Sequence, residues 1–219
     1  MPLKPVSELY DVYTARVIQS TGSWYDIQKN DGDIYAARLP GRFRQTHSDQ
    51  TNPIAVGDYV NFTINEDNSA KITNILERSN YVTRKATHGK RGQQILVSNV
   101  DYAILVNSIK QPKYKTGFID RFLVSCEAYQ VTPILFFNKM DLANGSDLNE
   151  LNHIMTLYQD LGYKVLRGSI MSSKSVNELK VLIKDKTSVF IGPSGVGKTS
   201  LMNAIDVRLE EKTTEISSY

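Results

Sequence analysis

The sequence predicts an α/β plus all-β protein: a small OB-like barrel over residues 1–77, a basic linker over 78–96, and a parallel α/β domain over 97–219. Three observations predict it. Residues 10–76 hold five short β-rich runs divided by turn signals, the chain from Asn99 alternates strand-like and helix-like patterns, and a glycine-rich loop sits late, at 192–199.

The five β-rich runs are DVYTARVIQ, SWYDIQ, DIYAARL, GDYVNFTI and SAKITNIL. Turn residues separate them at Thr21-Gly22, Asn30-Asp31-Gly32, Val56-Gly57-Asp58 and Glu66-Asp67-Asn68. Their number and length fit an OB-like barrel, with an SH3-like barrel as the competitor. Trp24, Tyr25 and Tyr35 are candidates for base stacking or for barrel core, and core is the expectation for Trp24. The segment from Glu77 to Gln94 carries Arg78, Arg84, Lys85, Lys90 and Arg91 against one acid and reads as the linker.

In the second half, VDYAILVNS and VTPILFF are continuous apolar runs, as expected for strands buried on both faces of a parallel sheet. Between them Ile119, Phe122, Leu123 and Cys126 recur at helical spacing. A long helix should follow, with Leu148, Leu151, Ile154, Met155, Tyr158 and Leu161 on one face and a stop at Gly162. YKVLRGS reads as a strand, SVNELKVLIK as a helix and TSVFI as a strand, and the last helix should begin around Gly197 to Lys198.

Composition narrows the class. The 219 residues are 41% hydrophobic and 22% charged with a net charge of +3, ordinary for a soluble domain pair. One cysteine, Cys126, forms no internal disulfide, and with the scattered His47, His88 and His153 it makes no zinc spacing. The start lacks signal-peptide order and the longest apolar runs are strand-sized, so a reduced, cytoplasmic protein without a membrane span is expected.

Gly192-Pro193-Ser194-Gly195-Val196-Gly197-Lys198-Thr199, followed by Ser200, matches the phosphate-loop pattern completely. A strand precedes it and a helical run follows, the context such a loop requires. Its amides would wrap a phosphate at a helix N-terminus, Lys198 would reach the β and γ phosphates, and Thr199 would ligate Mg²⁺. Asn138-Lys139-Met140-Asp141 follows VTPILFF, at the carboxyl end of a buried strand where α/β sheets bind ligands. An Asp141 carboxylate can accept from the N1–H and exocyclic amine of guanine, which adenine cannot offer. The alkyl part of Lys139 can cover a base. Gly168-Ser169-Ile170 ends the next strand, and Ser169 could bring a backbone N–H to the guanine carbonyl; a helix cap leading into Ser172 is the other reading.

In most small GTP-binding domains the phosphate loop precedes the guanine motif. Here the order is reversed, which circular permutation of such a domain explains. The barrel with NVDYAILVNS, FIDRFLV, ILFFNKMDL, GPSGVGKTSLMNAI and TTEIS resembles the circularly permuted ribosome small subunit-dependent GTPase A family, from about Tyr10 to Ser217. The resemblance implies a permuted P-loop GTPase domain binding GTP or GDP with Mg²⁺, and ribosome-stimulated hydrolysis during small-subunit maturation. Family members continue past TTEIS into a switch threonine, D-T-P-G and a zinc-binding domain. The sequence ends at Tyr219, so an incomplete GTPase domain, no zinc, weak or absent hydrolysis by this chain and a loosely held segment after Asp206 are expected.

The implied partners are the small ribosomal subunit and its rRNA, bound by a monomer. Arg42 and Arg44 in one barrel loop, and Arg84, Lys85, Lys90 and Arg91 in the linker, are the candidate RNA contacts. The alternative is an RNA- or ribosome-binding module with an incomplete, non-hydrolysing nucleotide site. An ATPase is disfavoured by NKMD and by the lack of a clear later aspartate on a strand.

Overall fold

Alternating side chains close the first domain into a barrel. The computed structural model describes residues 11–40, 53–66, 68–85 and 93–206, with the side chains of 84, 85 and 93 outside that description. The chain divides into two compact units, Met1–Asn99 and Val100–Tyr219.

In the first unit, β1 (Tyr13–Thr21), β2 (Trp24–Gln28), β3 (Ile34–Arg38), β4 (Tyr59–Ile64) and β5 (Ala70–Ile75) form a closed barrel in the order β1-β2-β3-β5-β4. β4 returns to pair antiparallel with β1, and β3 pairs parallel with β5. This is the five-stranded OB-type closure that leaves no open edge. The inward row is Ala15, Val17, Tyr25, Ile27, Ala37, Val60, Phe62, Ala70 and Ile72, all buried. Tyr13 and Tyr35 lean on Phe62 with ring centroids 5.7 and 5.5 Å away. Trp24 departs from its expected core position: it is 37% exposed on the outer face, because the period-two pleat that buries Tyr25 points its neighbour outward.

The segment expected as a linker holds paired strands. β6 (Tyr81–Lys85) and β7 (Gln93–Ser98) form an antiparallel pair. The charge count of the segment concealed its β-formers, Tyr81, Val82, Thr83, Ile95 and Val97. The pair is locked to the barrel by a buried ion pair. Asp58, fully buried, accepts from Arg78 Nε and a second guanidinium nitrogen, both at 2.7 Å, from Ser98 Oγ at 2.6 Å and from the Ala55 amide at 2.8 Å. Gly57 makes the close approach possible. It has φ +94, and a Cβ there would lie 2.0 Å from the Ser98 carbonyl oxygen.

Among the described residues the second unit holds a four-stranded parallel sheet, ordered β10 (Lys164–Arg167), β9 (Thr132–Asn138), β8 (Tyr102–Ser108), β11 (Ser188–Ile191). β8 and β9 are buried along nearly their whole length, which accounts for their unbroken apolar runs. Helices α1 (Thr116–Ala128), α2 (Gly145–Asp160), α3 (Ser173–Leu182) and α4 (Lys198–Ile205) alternate with them. α1 buries Ile119, Phe122, Leu123 and Cys126; burial pushes the Cys126 thiol up to about 12, so it stays protonated at neutral pH.

α2 starts at a reciprocal cap between Asn144 and Asp147. It buries Leu151 and Tyr158, while Leu161, expected on the same face, is 63% exposed because it lies past the last helical residue. Among the described residues β11 pairs only with β8 and forms one sheet edge. The segment 207–219 lies outside the described residues, as do His47 and His88; His153 is exposed on α2. Among the described residues no helix is long and apolar enough to cross a membrane.

Candidate nucleotide site

Three loops meet at the carboxyl end of the parallel sheet, where unpaired backbone groups and strand ends converge. The first is Gly192–Gly197, between β11 and α4. Gly195 and Gly197 have φ +80 and +92, left-handed conformations that a tight turn requires and that residues with a Cβ rarely adopt. Val196 between them is buried in the core beside Ile104, Val106, Ile134 and Phe136, which fixes the loop to the sheet. Gly197 caps α4 without a side-chain hydrogen bond. The amides of Lys198, Thr199 and Ser200 have no intrahelical partners by helix geometry. Leu201 is the first to bond, to the Gly197 carbonyl at 2.9 Å.

The Lys198 ammonium curls over the loop and donates to the carbonyls of Gly192 at 2.9 Å and Pro193 at 2.8 Å. Burial holds its pKa below the ordinary lysine value. A phosphate placed beside the ammonium would oppose that shift by supplying negative charge. Pro193, Ser194, Thr199 and Ser200 are exposed at the rim.

The second loop is Asn138–Asp141, leaving β9. Asn138 is buried and its Nδ2 donates to the Val196 carbonyl at 2.9 Å, so it ties the two loops together. Its Oδ1 is buried with no partner among the described residues. Lys139 takes a left-handed conformation, φ +61, and its ammonium donates to the carbonyls of Gly195 at 2.7 Å and Gln111 at 2.5 Å.

The third is Gly168–Met171, after β10. Ser169, buried, donates through Oγ to Asp141 Oδ1 and accepts from the Met171 amide at 3.1 Å. The Ser175 hydroxyl braces it from α3, donating to the Ser169 carbonyl at 3.1 Å and accepting from its amide at 3.2 Å. One Asp141 oxygen is thereby oriented.

Every residue expected at the site from the glycine-rich loop, from NKMD and from Ser169 lies in this cluster. Ser169 contributes mainly as the partner of Asp141. Sequence reasoning missed Ser175 and the Gln111 carbonyl. The signal for Gln111 was its position just past the carboxyl end of β8. Of the candidate RNA contacts, Arg42, Arg44, Lys90 and Arg91 lie outside the described residues; Arg84 and Lys85 lie on β6, with side chains outside the description.

The family description RsgA GTPase matches residues 75–219, and RsgA N-terminal domain matches residues 14–72. The chain belongs to the RsgA GTPase family. Its RsgA relatives include the protein named small ribosomal subunit biogenesis GTPase RsgA in Flavobacterium psychrophilum, 42% identical over 207 residues. That alignment covers 93% of this chain and 64% of the relative. The Bacteroides fragilis RsgA of the same name is 39% identical over 203 residues, covering 93% of this chain and 66% of its own length.

Among solved structures, YjeQ from Thermotoga maritima superposes with a TM-score of 0.73 at 32% identity, covering 90% of this chain and 66% of that one. YloQ, described as a circularly permuted GTPase, gives 0.67 at 31%, with the same coverage. The chain thus spans about two thirds of the length of these RsgA-type proteins. Its fold is an OB-type barrel followed by a P-loop GTPase domain, with the phosphate loop after the N-K-x-D motif as the RsgA resemblance implies.

Proposed function

We propose that the second unit binds guanine nucleotide with Mg²⁺, and that the whole protein hydrolyses GTP in small ribosomal subunit maturation. The observation that carries this reading is the Asn138–Val196 hydrogen bond, which joins a guanine-type base loop to a phosphate loop. The unpaired α4 amides, the glycine-lined turn and the buried Asn138 Oδ1 suit a nucleotide better than a simple strand-to-helix turn.

In this reading Gly192, Pro193, Ser194, Gly195, Val196 and Gly197 wrap the phosphates with their backbone, and Ser200 borders them. Lys198 exchanges its two carbonyl partners for phosphate oxygens. Thr199 supplies a hydroxyl for Mg²⁺, which neutralises charge on the phosphates when bound. Asp141, oriented by Ser169, accepts from the two guanine donors, and Lys139 covers the base plane. Lys198 and Thr199 are the residues of this chain that act on the reacting phosphate. In this reading the protein acts in the cytoplasm as a monomer.

The test is a titration of the chain with labelled GDP and Mg²⁺, competed by GDP, GTP and ADP, on wild type and Asp141→Asn. Guanine nucleotides should compete and ADP should not. Asp141→Asn should lose guanine preference, since the amide keeps one acceptor oxygen and turns an N–H group toward the second guanine donor, where an acceptor is needed. Equal competition by ADP would sink the guanine assignment.

The partner of the barrel is single-stranded rRNA. Trp24, Arg38 and Lys71 are register partners across β2, β3 and β5, and all three are exposed. The Arg38 guanidinium lies 3.7 Å from the Trp24 ring centroid, and the trio lines a pocket of about 470 Å³ with Pro40, Asn65 and Ser69. A guanidinium stacked over an exposed indole, with a second cation beside it, suits a stacked base and its phosphates. Trp24 is the one tryptophan, so its fluorescence reports this surface alone. Oligoribonucleotide should quench it, and Arg38→Ala/Lys71→Ala should weaken binding and flatten its salt dependence. Unquenched fluorescence with bound RNA would place the contact elsewhere.

A further inference from the structure

The loop between β8 and α1, residues 109–115, carries no motif but reaches the candidate site from one side and α2 from the other. At the site, the Gln111 carbonyl accepts from Lys139 Nζ, which also holds the Gly195 carbonyl. Gln111 sits at φ +54, so its carbonyl direction depends on the loop being held. Toward α2, Lys110 pairs with Asp147 at 2.7 Å and Lys113 with Glu150 at 2.7 Å. The Tyr114 hydroxyl donates to the other Glu150 oxygen at 3.1 Å, and its ring packs edge-on against Phe137, centroids 5.3 Å apart. The base of the loop is closed by Tyr114 N–H to the Ser108 carbonyl at 2.8 Å and by Ser108 Oγ to the Lys110 carbonyl.

Both anchors lie in the first turns of α2, the helix that follows the Asn138–Asp141 loop. The loop therefore spans from the helix behind the base loop to the lysine in front of it. None of its side chains is placed against the nucleotide in the functional reading.

We propose that Lys110, Lys113, Tyr114 and Glu150 are positioning residues: they strap the 109–115 loop to α2 so that the Gln111 carbonyl holds Lys139 over the guanine. This rests on the guanine-nucleotide reading of the site. A free lysine ammonium samples many rotamers, and ordering it on binding costs affinity; a carbonyl fixed beforehand removes that cost. Single exposed ion pairs contribute little, but here three contacts share one short loop and act on one atom. The Lys110 and Lys113 hydrogen bonds hold the Asp147 and Glu150 carboxyls below their usual range, so the strap stays ionised at neutral pH. Burial, with Glu150 beside it, pushes the Tyr114 phenol up to about 12, so it remains a donor.

The test measures labelled-GDP dissociation from the full chain by stopped flow. Wild type, Lys113→Glu, Lys110→Met/Glu150→Gln and the charge exchange Lys113→Glu/Glu150→Lys are compared, each also in a Lys139→Met background. Breaking the strap should speed dissociation about tenfold with little change in association, the usual place for a preorganisation effect. The charge exchange should recover most of the Lys113→Glu loss. In the Lys139→Met background the strap variants should have no further effect, a dependence that a merely structural role would not show. Thermal midpoints separate folding from positioning.

Unchanged dissociation in folded strap variants of a GDP-binding protein overturns the proposal. Equal effects with and without Lys139 overturn it too. Failure of wild type to bind GDP instead overturns the nucleotide reading, and the strap with it.

Discussion

Arg78→Met is expected to lower the stability of the barrel unit by about 3–5 kcal/mol, the usual cost of stripping one partner from a buried ion pair. Asp58 has no exposed surface, and Arg78 is 16% exposed at its side chain. Two guanidinium hydrogen bonds of 2.7 Å supply its countercharge. In their absence the carboxylate keeps, among the described residues, Ser98 Oγ and the Ala55 amide, two neutral dipoles against a full buried charge.

Arg78 also donates to the Pro53 carbonyl at 2.9 Å, so the same substitution frees a backbone acceptor. Urea unfolding followed by Trp24 fluorescence reads this unit directly. Asp58→Asn/Arg78→Met should recover part of the loss, because no charge is then left buried. A loss below about 1 kcal/mol would mean that water reaches Asp58 and that the pair is worth no more than a surface bridge.

Gly197→Ala should weaken GDP binding about a hundredfold or more. Two independent costs combine: the +92° φ is unfavourable for any residue with a Cβ, and that Cβ would lie 2.5 Å from Asn138 Nδ2. The loop must then open or Asn138 must leave the Val196 carbonyl, abandoning a buried hydrogen bond. Strain of about 1–2 kcal/mol and a broken buried hydrogen bond of about 1–3 kcal/mol add to two or three decades in affinity. Gly195→Ala is the internal control. Its φ of +80 carries the same strain, but its Cβ would meet only Pro112 Cδ at 3.7 Å, an ordinary contact. Gly195→Ala should therefore cost clearly less. Equal losses for the two alanines would show that backbone strain alone matters and that the Asn138 tie is dispensable.

Much of the site was legible because a phosphate loop and a base loop are made of contiguous residues. Gly192–Thr199 and Asn138–Asp141 each need a fixed local spacing, and each follows a strand whose apolar run can be read directly. The barrel was legible for a similar reason: five short β-rich runs with turn residues between them have few ways to bury one face each. The two units were harder to divide. Charge dominates the composition of 78–96 and hides the pairing of β6 with β7, since a hairpin is specified by partners and not by composition.

The sequence by itself determined the strand and helix rhythm, the reversed order of the two nucleotide motifs and the residues in them, because each depends on neighbours along the chain. Only the tertiary structure decided which side chains meet across it. Asp58 with Arg78 and Ser98, Asn138 with Val196, and Lys139 with Gln111 are separated by 20 to 58 residues. Nothing in local propensity couples such positions. Trp24 turned outward and Tyr25 inward for the same reason: the pleat sets the alternation, but closure of the barrel decides which phase is buried.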